Sequence, residues 1–323
     1  MKREYPKQLN GIEDIKMKLL LTGASGFIGK NFIENAPGDI EITAVYNNSN
    51  SIKRFVEEKK LKNVKLHKCD FTKKAELEKL FQKIGSNFEF CLWLAGNVNV
   101  PLSIKNPIED LNANATALIN FLQACSRIDR LVYMSSAAVY DCNKGIVTAK
   151  TRLDPAIPYC ISKLAAEQYI KFFCNSGKVG SYAIIRFGGA YGRYSEKKFV
   201  SKLVDDICLR GKKIIEIYGD GTNIVNVMHV KDAVKALLAC IKPKKSNVVC
   251  NLGQDNMTIN ETVKRVAKIF GKNVEIRHVP RLKGQKYIGF RIKSDFNDIF
   301  GFKPEYSFEK GIKEFAEMLK NEN

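Results

Sequence analysis

The sequence contains no CxxC pair, and its nine cysteines, an odd number, are scattered along 323 residues. That pattern excludes a disulfide framework and a cysteine zinc site, and it fits free thiols in a reducing cytosol, so a cytoplasmic location is expected. The three histidines, His67, His229 and His278, stand too far apart for a local metal motif, and no metal is expected. No apolar run approaches a membrane span, which argues against a membrane partner. Residues 1–16 are mixed and polar, without the apolar core of a signal peptide, and read as a disordered extension. Internal repeats and low-complexity linkers are also missing. Acids are scarce beside bases, 34 against 53, for a net charge of +19. Such an excess suits nucleic acid, an acidic membrane surface or anionic small molecules. Here it is dispersed in pairs such as Lys59-Lys60, Lys73-Lys74 and Lys212-Lys213. No RNA- or DNA-binding motif accompanies them, so solvated helix ends and loops are expected rather than a nucleic-acid stripe.

What is present begins with a hydrophobic content of 45%, enough for one large two-lobed unit or two ordinary domains. The most informative stretch is Met17 to Lys30, where an apolar run, Leu19 to Leu21, breaks into Gly23, Gly26 and Gly29 and then into helix-like sequence. Gly23 turns the chain out of a strand, Gly26 lets backbone N–H groups approach a phosphate, and Gly29 lets the helix sit close to the sheet. A helix N-terminus then offers unpaired donors and a positive dipole end to a pyrophosphate. Three glycines alone mark many turns; the strand before and the helix after make this a dinucleotide loop.

Strands are expected at Ile40–Tyr46, Val64–His67, Phe88–Leu94, Leu131–Ser135 and Tyr182–Phe187, with helices through Asn35, at Pro107–Arg127 and at Pro158–Asn175. Strands alternating with helices of this length mean right-handed crossovers and an α/β, Rossmann-type doubly wound parallel sheet. The alternation loosens after Gly188. The expected division is a dinucleotide-binding domain over 17–187, to which 224–252 returns, and a smaller C-terminal substrate-binding lobe over 188–223 and 253–323.

An acid at the end of the second strand would accept hydrogen bonds from the ribose of NAD. This chain has Tyr46-Asn47-Asn48 there, with Lys53-Arg54 close behind. No carboxylate repels a 2′-phosphate, so NADP is slightly favoured over NAD, unless Lys53 and Arg54 merely begin a solvated helix. Asp70 is placed to accept from an adenine amino group, or to cap the helix before Lys73.

Tyr159 and Lys163 stand four residues apart on one face of a helix begun by Pro158. A lysine charge ~5 Å away at an effective dielectric of ~20 is worth ~3 kcal/mol, or ~2 pKa units, and would bring the phenol towards working pH. The partner hydroxyl is expected at the end of the fifth strand, where Ser136 follows Ser135; strand-end serines are otherwise simple turn residues.

These segments together resemble the extended short-chain dehydrogenase/reductase superfamily, in its NAD(P)-dependent nucleotide-sugar epimerase/dehydratase branch. The resemblance runs from Lys18 to Gly311. It rests on Thr22 to Gly29, Ser135-Ser136-Ala137-Ala138-Val139-Tyr140 and Pro158-Tyr159-Cys160-Ile161-Ser162-Lys163. It continues in Ile185-Arg186-Phe187 with Tyr191-Gly192, in Tyr218-Gly219-Asp220-Gly221 with His229-Val230-Lys231-Asp232, and in Asn251-Leu252-Gly253. It implies Ser136, Tyr159 and Lys163 as catalytic residues, with Asn114 in a proton relay. Cofactor contacts would come from Gly23, Ser25, Gly26, Phe27, Ile28, Gly29, Tyr46, Asn47, Lys53, Arg54, Asp70, Phe71, Leu94, Ala95, Gly96, Lys163 and Arg186. Substrate contacts would come from Ser136, Ala137, Tyr159, Gly189, Arg193 and Arg281. A homodimer through the helices at 107–127 and 158–175 is also implied.

The chain departs from the pattern in ways that narrow the chemistry. Ala137 and Ala138 stand where the family's 4,6-dehydratases carry an acid pair, and the glutamate of the related decarboxylases is missing too. Gly189 replaces the usual asparagine, Tyr140-Asp141 the usual tyrosine-glycine, and Asn223-Ile224-Val225-Asn226 a stretch that normally holds an arginine for the substrate diphosphate. Arg193, Arg281 or Lys283 would have to substitute. What remains is hydride transfer with one proton: a nucleotide-sugar 4-epimerase, or alternatively an NADPH-dependent 4-keto-sugar reductase. A cofactor-sensing or RNA-binding relative is the non-enzymatic alternative, against which the intact Ser136, Tyr159 and Lys163 argue.

Overall fold

The computed structural model describes residues 17–49, 51–195, 198–241, 245–281 and 288–322; the expected extension 1–16 and Lys283 lie outside them. Seven strands form one sheet in the spatial order Val248–Leu252, Val179–Phe187, Arg127–Ser136, Asn87–Trp93, Met17–Thr22, Ile40–Tyr46, Val64–Lys68. Every neighbouring pair is parallel. Counted along the chain, the order is 3-2-1-4-5-6-7, so the winding reverses between Met17–Thr22 and Asn87–Trp93. In such sheets a crevice opens at the carboxyl ends of the strands on either side of the reversal.

Both faces of the sheet are covered, which explains the near-continuous apolar runs of its strands. Alternate side chains go to opposite sides. Leu19 and Leu21 join Leu92 and Val132 in a core with the helices Phe27–Asn35 and Val230–Ile241. Leu20, Cys91, Trp93, Leu131 and Tyr133 join the other, under Lys74–Ile84, Ala117–Ala124 and Pro158–Asn175.

A third core gathers Leu203, Ile215, Ile217, Val263, Val266, Phe308, Ile312 and Phe315 around the helices Ile259–Ile269 and Phe308–Glu322. We take this as the second lobe. The strand Ile224–His229 is a correction: it pairs with Ala190–Tyr191 and Asp255–Thr258, away from the large sheet. The end of that strand already puts Met228 into the core of the first lobe, and the helix from Val230 then packs on Phe27–Asn35 and leads into Val248–Leu252.

Other expected boundaries also move. The fifth strand begins at Arg127, and the sixth at Val179. The long helix expected over 107–127 is two helices, Pro107–Leu111 and Ala117–Ala124, joined by a wider π-helical turn at Asn112–Thr116.

Candidate active site

The glycine loop lies at the reversal point. Gly23 has φ +69°, and a Cβ there would sit 2.7 Å from the Leu94 carbonyl carbon, so only glycine lets the two strand ends close together. Thr22 Oγ1 ties them, accepting from the Leu94 and Ala95 amides at 3.1 Å. The helix Phe27–Asn35 starts directly after Gly26. Gly29 touches the backbone of Gly23 and Ala24, so it packs the helix on the loop itself rather than on the sheet. Gly26 is exposed, between half-buried Ser25 and half-buried Phe27 and Ile28. This cradle, which Cβ atoms would fill, together with the donors of the first helical turn, fits a dinucleotide pyrophosphate.

At the ribose end the structure corrects several expectations. Tyr46 is buried in the core, leaving Asn47, hydrogen-bonded to Asp70, at the surface. Asp70 Oδ1 accepts from Thr72 N and Oγ1 at 3.0 and 2.7 Å. Burial works against the Asp70 carboxylate, yet the hydrogen bonds from Thr72 and Asn47 and the Lys73 charge hold its pKa below the usual range. It does not cap the next helix, whose N-cap is Lys73. The Phe71 ring stacks into the core against Trp93, 4.9 Å between centroids, rather than towards the crevice. Lys53 and Arg54 lie on the solvent face of the helix Ser51–Glu58, where Arg54 pairs with Glu58 at 2.6 Å.

Ser136 ends the fifth strand, with its Oγ accepting from Ala138 N at 3.1 Å. Tyr159, in the first turn of Pro158–Asn175, is buried, with Ser136 near enough to its phenol to oppose the rise in its pKa. The two expected reacting hydroxyls are thus brought together by strand and helix from separate parts of the chain. Lys163 is buried one turn further on. Its Nζ donates to the Met134 carbonyl at 2.7 Å and lies 4.5 Å from the centre of the Tyr133 ring. The phenol is therefore not lowered as expected. Burial pushes Tyr159 up to about 12 against the Ser136 hydroxyl, with Cys160 and Asp110 adding to the rise. Burial also takes the Lys163 ammonium down to about 8, against the attraction of Glu167 and Asp110. Asn114 is buried in the π-helical turn beside Gly96.

Other expected contacts fall elsewhere. Arg186 is not at the crevice: its Nε and Nη2 donate to the Glu167 carboxylate and its Nη1 to the Tyr140 hydroxyl and the Ala149 carbonyl, all inside the protein. Ala137 packs into a small apolar cluster with Val139, Tyr140 and Phe290. Arg193 is held by Glu34 at 3.2 Å, near the far end of the first helix. Arg281 lies over Gly219, with Asp220 3.7 Å away. Gly189 sits under the Asn226 main chain, while the Asn226 side chain takes the space that a side chain at Gly188 or Gly253 would fill.

Sequence reasoning missed Glu167 and Asp110, two buried carboxylates. The available signal was helical spacing: Glu167 follows Lys163, and Asp110 precedes Asn114, by four residues. The motif at His229 is structural. His229 stacks on Tyr306 at 4.0 Å, and burial takes its pKa down to about 4, while Asp232 accepts from the Glu305 and Tyr306 amides. Among the described residues no helix is long and apolar enough to cross a membrane, and no group of three or more metal-ligating side chains forms.

A 3-2-1-4-5-6-7 parallel sheet with a glycine loop at its reversal defines a dinucleotide-dependent enzyme of the extended short-chain dehydrogenase/reductase class. The chain belongs to the NAD dependent epimerase/dehydratase family, whose pattern matches residues 19–253. It is 27% identical over 318 residues to a putative UDP-glucose 4-epimerase of Methanocaldococcus jannaschii, covering 94% of this chain and 99% of the relative. UDP-glucose 4-epimerase 4 of Oryza sativa subsp. japonica is 25% identical over 323 residues, covering 90% and 87%. The fold is shared with the UDP-N-acetylglucosamine 4-epimerase of Methanobrevibacter ruminantium, at a TM-score of 0.83 and 24% identity, covering 95% and 99%.

Proposed function

We propose that the protein inverts C4 of a nucleotide-activated sugar. The observation that carries this is the buried Tyr159 phenol beside Ser136, at the strand end near the glycine loop. With the positive nicotinamide ring bound, the phenol raised by burial would be brought down again, and Tyr159 as the phenolate would take the proton of the sugar hydroxyl while Ser136 holds that oxygen in place. Lys163, anchored on the Met134 carbonyl, keeps two further N–H donors for a cofactor ribose. Bound nicotinamide supplies the hydride acceptor and donor. Ala137 and Ala138 provide no second acid or base, which argues against loss of water. The two relatives above carry the names of UDP-glucose 4-epimerases, one of them putative, which supports a UDP-sugar here.

For the nucleotide end we propose the second lobe, where a cavity of about 430 Å³ is walled by Phe199, Leu203, Ile217, Tyr218, Lys202 and Arg277. Its size and mixed lining suit a base and a charged tail. The family's cofactor supports NAD. One observation favours the 4-keto-sugar reductase instead: no carboxylate ends the second strand, which leaves room for NADP. We place the protein in the cytoplasm, on its unpaired cysteines.

A homodimer is supported by an apolar face on the helices Val100–Lys105, Pro107–Leu111 and Pro158–Asn175. Ile104, Ile108, Leu111, Ile161, Tyr169 and Phe172 are all exposed there. Adjacent apolar residues of this kind mark an interface, and here the occupant is a second copy.

The test is to incubate purified protein with UDP-hexoses and NAD and to follow the C4 configuration by NMR. Wild type should equilibrate the epimers, and Tyr159→Phe should lose at least a hundredfold in turnover while still binding NAD. Unchanged epimers with NADPH consumed on a 4-keto sugar would assign the reductase. No turnover, together with salt-sensitive RNA binding indifferent to Tyr159→Phe, would assign a binding protein.

A further inference from the structure

We propose that Asp110, outside the reacting set, is a positioning residue that fixes the Asn114 side-chain amide with its carbonyl oxygen turned to Gly96 on the crevice wall. The proposal rests on the active-site reading above. Asp110 is 1% exposed on the helix Pro107–Leu111, and its carboxylate is enclosed by donors. Asn97 Nδ2 donates to Oδ1 at 2.8 Å, Asn114 Nδ2 donates to the same oxygen at 3.1 Å, and Ser162 Oγ donates to Oδ2 at 2.6 Å. With its proton committed to Asp110, Ser162 Oγ accepts from Asn114 Nδ2 at 3.1 Å. Both amide hydrogens of Asn114 therefore have acceptors.

A flipped amide would set the Asn114 oxygen against a carboxylate, which offers only acceptors, so one orientation is selected. In that orientation Asn114 Oδ1 is buried and has no partner among the described residues. It faces Gly96, at φ +151°, where a Cβ would collide with it. An acceptor left open at the end of the fourth strand is where a water or substrate hydroxyl would be received. The π-helical turn supplies the rest: its extra residue per turn rotates Asn114 inward while Asn112 remains exposed. Ser162 lies three residues after Tyr159 on the same helix, so one carboxylate ties the turn to the helix that bears the phenol.

The experiment reads the side-chain amide of Asn114 directly, by nitrogen-15 NMR of the ligand-free protein, with the signal pair assigned by its loss in Asn114→Ala. Wild type should show a pair protected from solvent exchange. Asp110→Ala should speed that exchange at least tenfold. Asp110→Asn, whose carbonyl still accepts from Asn97 and Asn114 while its amide donates to Ser162, should stay within threefold of wild type. Asp110→Ser is the second variant, too short to reach Asn114, and should behave as the alanine. With a turned-over UDP-sugar, Asp110→Ala should lower kcat 10- to 100-fold and change KM less than threefold. Adding Asn114→Ala should then cost nothing more. An unchanged amide pair in folded Asp110→Ala or Asp110→Ser, or losses that add in the double variant, would overturn the proposal. The amide measurement needs no substrate, so a wild type without turnover would sink the enzymatic reading and leave this result standing.

Discussion

The Arg186 guanidinium meets the Glu167 carboxylate side by side, Nη2 to Oε2 at 2.8 Å and Nε to Oε1 at 3.2 Å, with 4% and 0% of the two side chains exposed. Ser135 Oγ closes the group by donating to Glu167 Oε1 at 2.6 Å. Breaking one half of such a pair leaves a bare charge in the core. Arg186→Met should therefore cost about 3–5 kcal/mol in urea unfolding. Replacing both partners, Arg186→Met with Glu167→Leu, should recover most of that loss. If the two losses simply add, the pair is not the unit we describe.

Lys163 should make stability depend on pH in an unusual direction. Its folded pKa is taken down by burial to about 8, below the ordinary 10.5. Below pH 8 folding buries an ammonium that the unfolded chain keeps in water. Between about pH 8 and 10.5 the folded form has shed its proton and the unfolded form has not, so stability rises with pH through this window. Removing the charge in Lys163→Met should raise stability at pH 7 by about 3 kcal/mol, and the melting point with it. The advantage should shrink towards pH 10, measured by calorimetry at matched ionic strength. A constant difference across that range would count against a buried ammonium.

Arg54→Ala tests the choice between the two nicotinamide dinucleotides. Its guanidinium is 83% exposed and engaged with Glu58 one turn along. Affinity for NAD and for NADP should each change less than twofold in fluorescence titrations. A tenfold loss confined to NADP would instead show that Arg54 swings in to hold a 2′-phosphate.

Ile108 and Phe172 are 69% and 60% exposed on helices that flank the site. Wild type should sediment as the proposed dimer, and Ile108→Glu combined with Phe172→Glu as a monomer, since two carboxylates cannot be desolvated in an apolar interface. A species of unchanged mass would place any contact between copies elsewhere.

Local chemistry decided much of this protein in advance. The alternation of strand and helix, the glycine turn after Leu21 and the helix beginning at Pro158 depend on nearest-neighbour preferences, so residue order alone specifies them. Where the structure departs from expectation, distant segments compete for the same group. Arg186 was expected at the cofactor, and Glu167 claims it from the neighbouring helix. The Lys163 charge was expected on Tyr159, and the Met134 carbonyl takes it. Arg193 was expected at the substrate, and Glu34 holds it away.

By itself the sequence determined the class of fold and the glycine turn at the reversal of its sheet, because both follow from periodicity and backbone freedom along one element. Only the tertiary structure decided where the charges rest. A buried cation takes whatever acceptor packing brings within reach, and that partner can come from any part of the chain.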